Sequence, residues 1–117
     1  MMDNIGKANG RTISMDKSAV IKIAEAYAKL VLQNLKPIEI ILYGSYAKGT
    51  AREDSDIDIA IIVSKVVDDF LDEAVMLYTL REEVDDRIEP KLIVESHDYS
   101  GFLEDVRKTG YRIFPEA

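Results

Sequence analysis

Hydrophobic positions along this chain recur with two different periods. Val20, Ile23, Ala24, Tyr27, Leu30 and Val31 follow i, i+3, i+4, i+7 spacing behind Asp16, a good helix cap, so the pattern predicts an amphipathic helix ending near Leu35, before Pro37. Ile38 to Tyr43 (IEIILY) is short, β-branched and bounded by Pro37 and Gly44, which predicts a mostly buried strand. The chain then turns at Gly44-Ser45. Tyr46 to Lys48 has room for one helical turn, and Gly49 to Ser55 reads as an exposed loop. Asp56 to Val63 (DIDIAIIV) is a second strand, with two carboxylates ahead of a continuous apolar run. Asp68 or Asp69 is placed to cap a helix reaching about Val84, with Leu71, Ala74, Val75 and Tyr78 on its inner face. Arg87 to Val94 (RIEPKLIV) is a third strand, which Pro90 places at a sheet edge or a bulge. A short helix through Phe102, Leu103 and Val106 stops at Gly110, ahead of Tyr111 to Phe114.

This order of elements is that of an α/β (α+β) domain of about three strands with helices covering one face. Residues 1–14 are polar, contain Gly6 and Gly10 and lack periodicity, so they read as a flexible arm before a domain spanning 15–117. The 117 residues suffice for one core. Hydrophobic residues at 47% and charged residues at 32% are the balance of a folded soluble chain. No apolar run approaches the roughly 20 residues of a membrane span, and residues 1–11 lack the apolar stretch of a signal peptide, so no membrane association is expected and the cytoplasm is the expected location.

Composition narrows the chemistry further. With no cysteine and one histidine, disulfides, zinc fingers and Cys/His catalysis are excluded, and any bound metal is an oxygen-ligated, Mg²⁺-like or Ca²⁺-like cation. The formal charge of -7, with 22 acidic residues and no basic patch, argues against direct nucleic-acid binding. A nucleotide needs only local donors and a metal, and stays within reach.

Successive strand side chains alternate faces, so Asp56 and Asp58 share one face with Cα atoms about 6.6 Å apart. Like charges so close each resist ionisation, and a divalent cation between them removes the cost. Two carboxylates at i and i+2 plus a third from a neighbouring strand suit a two-metal site, and Glu89, between Ile88 and Pro90, is the best third ligand, with Glu95 the weaker substitute. Gly44-Ser45 follows a buried strand and precedes a helical turn, so backbone amides and the Ser45 hydroxyl can face a phosphate, with Lys48 adding a positive charge. His97 reads as a loop residue, and Tyr27 and Tyr78 as core. Tyr46, beside the turn, either stacks on a base or covers the sheet. Two competing motifs fail on the letters. Gly44 and Gly49 have Walker A spacing, but Thr50 stands where the lysine is required; an EF-hand from Asp54 would need glycine at Ile59 and glutamate at Lys65.

Gly44-Ser45-Tyr46-Ala47-Lys48-Gly49-Thr50 followed by Ser55-Asp56-Ile57-Asp58-Ile59 resembles the signature of minimal nucleotidyltransferases of the DNA polymerase β superfamily, and the element order extends the likeness over about Asp16 to Phe114. The resemblance implies a mixed sheet, a Gly-Ser turn that binds nucleotide phosphates, Asp56 and Asp58 as Mg²⁺ ligands, and ATP as donor. Glu89 stands where the family often has aspartate, and Lys48 where relatives often have arginine. Small stand-alone members resemble the antitoxin of a toxin-antitoxin pair whose partner is a helical, HEPN-type nuclease, and some are thought to transfer AMP to a tyrosine of that partner. The expected function is therefore Mg²⁺-dependent transfer of AMP from ATP to a hydroxyl of a partner protein. Two alternatives stand beside it: a catalytically weak antitoxin acting by occlusion, and nucleotidyl transfer to a small molecule.

Overall fold

The computed structural model describes residues 16–98 and 100–116; the expected arm over residues 1–14 lies outside them. Asp16 caps the first helix as its position predicts. Its carboxylate accepts the Ala19 amide at 2.8 Å, and α1 runs Lys17–Asn34. Then follow β1 (Glu39–Tyr43), the single turn α2 (Ser45–Lys48), β2 (Ile57–Val63), α3 (Phe70–Leu80), β3 (Ile88–Val94), α4 (Phe102–Thr109) and β4 (Tyr111–Phe114), with 3₁₀ turns at Arg81–Glu83 and Glu95–His97.

The sheet is mixed, in the order β3-β2-β1-β4. β1 is antiparallel to both β2 and β4, whereas β2 and β3 are parallel and joined by α3 as the crossover. β3 lies at the edge, where its proline is tolerated. The fourth strand is not evident in the sequence, because of its four residues only Ile113 is buried and no alternation shows. Its pairing with β1 depends on Gly110, where a Cβ would meet Ile41 Cγ2 at 2.5 Å and the Leu42 carbonyl oxygen at 2.9 Å.

β2 reads as a continuous apolar run because both of its faces are covered. On one face Ile40, Leu42, Ile57, Ile59 and Ile61 pack against Val20, Ala24, Tyr27 and Val31 of α1 and Leu77 of α3. Each such fully buried aliphatic side chain contributes about 1.5–3 kcal/mol. The Tyr27 hydroxyl donates to the Leu77 carbonyl at 2.6 Å and ties the two helices together. These two longer helices share one face, as the sequence predicts. The short α4 adds a second layer, setting Leu103 and Val106 against Ile41, Ala60, Ile62 and Ile93.

The face that α3 turns inward differs from expectation. Leu77 is buried and Ala74 and Leu80 pack against the core, while Leu71, Val75 and Tyr78 lie exposed. The α3 sequence carries two apolar lines, and the Tyr27–Leu77 contact selects between them. Glu73 is buried on the selected side because its carboxylate accepts the amides of Val67 and Asp68, at 3.2 and 3.1 Å. Among the described residues no helix is long and apolar enough to cross a membrane.

Candidate active site

Register builds the site. Tyr43 of β1 pairs with Asp58 of β2, and Asp58 pairs with Glu89 of β3, so three side chains stand in one row across the sheet. Alternation puts them on the face of Ala60 and Ile62, which α4 covers further along the strands. Past the end of α4 that face is open. Asp56, just ahead of β2, joins the row, and Tyr43, Asp56, Asp58, Glu89, Pro90 and Lys91 line a depression of about 470 Å³. Asp56, Asp58 and Glu89, singled out by sequence, are therefore brought together.

The Gly44-Ser45 turn sits against this row. Gly44 has φ 75° and ψ -150°, and a Cβ there would overlap Asp58 Oδ2 and lie 3.2 Å from its Cγ. Only glycine meets both the backbone geometry and the space. Ser45 opens α2; the Gly44 carbonyl accepts the Lys48 amide at 3.1 Å and the Ser45 carbonyl accepts that of Thr50 at 2.9 Å, which fixes the turn. Lys17 Nζ donates to the Ala47 carbonyl at 3.3 Å and anchors α1 to the same turn. Lys48 is exposed on the turn and is not among the residues lining the depression.

The electrostatics are those of a crowded anionic site. Burial raises the Asp58 pKa above the usual carboxylate range, and the charges of Asp56 and then Glu89 push it further in the same direction. Tyr43 is pushed up to about 12 by burial, then by Asp58 and Glu89, so its hydroxyl stays neutral near pH 7. Among the described residues no three Asp, Glu or His side chains converge into a ready-made metal cage. The donor set nevertheless fits a hard divalent cation: it is all carboxylate oxygen, the charges act on one another, and a cation in the depression would relieve the repulsion.

Arg81 is a neighbour that sequence reasoning misses. Its Nη1 lies 3.8 Å from Glu89 Oε1, while the same nitrogen donates to the carbonyls of Asp86 at 2.6 Å and Ile88 at 3.2 Å. The guanidinium stacks 3.8 Å over the Tyr78 ring and donates to its hydroxyl at 2.6 Å. Tyr43 and Lys91 are missed as well, although both are detectable: position 43 directly precedes the glycine turn, and position 91 is two residues from Glu89 on the same strand face. The remaining candidates lie elsewhere. Glu95 is paired with Arg107 Nη2 at 2.6 Å, outside the depression. His97 is exposed in a 3₁₀ turn. Tyr46 is 3% exposed and packs in the core, so of its two readings the sheet-covering one holds. Tyr27 is core as expected; Tyr78 is not.

A family model for the nucleotidyltransferase domain matches residues 22–109. Solved structures that resemble the chain include the following two. One, from Sulfolobus solfataricus and provisionally assigned as a nucleotidyltransferase, superposes with a TM-score of 0.59 over 82% of this chain and 80% of its own at 16% identity, a likeness of fold. The other, a toxin-antitoxin crystallised with AMP-PNP, superposes with a TM-score of 0.56 over 77% of this chain and 72% of its own at 26% identity. No curated protein matches the sequence.

Proposed function

The chain belongs to the nucleotidyltransferase domain family, and from that premise we propose that it transfers AMP from ATP to a hydroxyl of a partner protein, with Mg²⁺, as the antitoxin of a toxin-antitoxin pair whose toxin is a helical HEPN-type protein. The observation that carries this reading is the juxtaposition of Gly44 with Asp58, which sets the Gly44-Ser45 turn against a row of carboxylates. The toxin-antitoxin relative crystallised with AMP-PNP supports both the nucleotide and the partner.

In this reading the amide of Ser45, its hydroxyl and Lys48 bind the ATP phosphates. Asp56, Asp58 and Glu89 would hold Mg²⁺, one or two ions, which supplies charge neutralisation to the phosphates. Glu89, partly exposed at the rim, accepts the proton of the acceptor hydroxyl; the acceptor oxygen forms a bond to the α-phosphorus, the bond to the bridging oxygen breaks, and pyrophosphate departs with its electron pair. Tyr43, neutral beside Asp58, offers a hydrogen bond to whatever enters the depression.

One observation favours the occlusion reading. Arg81 already stands against Glu89, Nη1 to Oε1 at 3.8 Å, and its positive charge competes with a metal for that carboxylate. Pyrophosphate release from ATP in the presence of a candidate helical partner separates the two. Mg²⁺-dependent release that Asp56→Ala abolishes supports transfer, whereas ATP binding with no release supports occlusion.

A further inference from the structure

The outward line of α3 lies outside the core. Val67 is 75% and Leu71 68% exposed, and Phe70, Val75 and Tyr78 are each about half exposed. Helical spacing sets Leu71, Val75 and Tyr78 in one stripe, and a contiguous apolar strip of that kind marks an interaction surface. Both ends of the strip are acidic. Asp68 and Asp72 flank its start, Glu82 and Glu83 its end, and all four are exposed. Arg81 beside Tyr78 does not offset them freely, because its guanidinium is held by two carbonyls and the Tyr78 hydroxyl.

We propose that this face of α3 docks a different protein, one presenting an apolar helical strip with lysines or arginines at both ends. Charge complementarity chooses the occupant. A second copy would set acid against acid whether the two helices ran parallel or antiparallel, whereas a basic-ended strip satisfies both ends at once. The carboxylates near the C-terminus of α3 are unfavourable to its own dipole, and a cationic partner relieves them. The face is also continuous with the site. Phe70 at the start of α3 lines a hollow of about 510 Å³ together with Lys91 and Phe102, and Lys91 is shared with the carboxylate depression. A partner seated on α3 therefore reaches the depression along one surface. The partner's role as acceptor rests on the transfer reading above; the docking itself does not.

The test uses the full chain without ATP or Mg²⁺, so its failure would leave the nucleotide reading standing. The probe is a fluorescent helical peptide with leucines at i, i+3, i+4, i+7 and lysines at both ends. We expect it to bind, and to bind at least about tenfold more weakly when its end lysines become glutamates, when its leucines become serines, or when the protein carries Leu71→Ser with Val75→Ser. Equal binding in any of these three comparisons overturns the proposal. The chain lacks cysteine, so Val75→Cys reports whether the face is free: modification by a maleimide at the rate of an exposed thiol is expected. Strong protection would show that residues 1–15 or a second copy already cover the strip, and would equally overturn the proposal.

Discussion

Gly44 of the turn and Asp58 of β2 face each other so closely that a Cβ at position 44 would overlap the carboxylate oxygen of Asp58. The Gly44-Ser45 turn and the carboxylate row are thus one packed unit. Gly44→Ala should cost about 1–3 kcal/mol from its backbone conformation alone and displace Asp58 as well. Denaturant titration should show the stability loss, and calorimetry should show ATP binding greatly weakened. Wild-type ATP affinity in this variant would separate the turn from the site.

Asp58 resists ionisation in the folded chain, and that has a sign. Its folded pKa lies above the ordinary value of 3.8, so between the two values the native state binds more protons than the unfolded one, and metal-free stability falls as pH rises through that window. Asp58→Asn should therefore raise the metal-free Tm at pH 7 by a few degrees and give no gain below about pH 4. A variant less stable than wild type at pH 7 without metal would contradict the crowding argument.

Much of this site is legible in the amino-acid sequence. Asp56, Asp58 and the Gly44 turn are local patterns, readable from a spacing of two and from a glycine behind a buried run. Glu89 is reached by its place on the next strand, where it pairs with Asp58. Tyr43 and Lys91 enter the depression only through strand register, which no local period encodes. The facing of α3 escapes for a related reason: Leu71, Val75 and Tyr78 are as apolar as Ala74, Leu77 and Leu80, and a contact with Tyr27, 50 residues away, decides between them. The β4 strand exists through its pairing with β1, which four residues cannot announce.

Ser45 is expected to meet a phosphate with its hydroxyl. Ser45→Ala should weaken ATP binding by about 1.5–3 kcal/mol, the range for a hydrogen bond to a charged group, with stability unchanged because its side chain is not part of the core. Unchanged ATP affinity would remove Ser45 from the site.

Glu89→Gln should leave ATP binding near wild type and reduce turnover by roughly 10²–10⁴, the contribution of a positioned general base. Single-turnover kinetics beside calorimetry would show the split. Wild-type rates would place the proton acceptor elsewhere.

Nucleotidyl and not phosphoryl transfer is the chemistry proposed for the Asp56/Asp58 row. It is tested by incubating the chain and a candidate helical partner with Mg²⁺ and ATP labelled in parallel at the α- and the γ-phosphate, followed by mass spectrometry of the proteins. α-Label alone should become covalently attached to the partner as AMP, and Asp58→Ala should abolish the attachment; attachment of γ-label, or α-label undiminished in Asp58→Ala, would overturn the assignment.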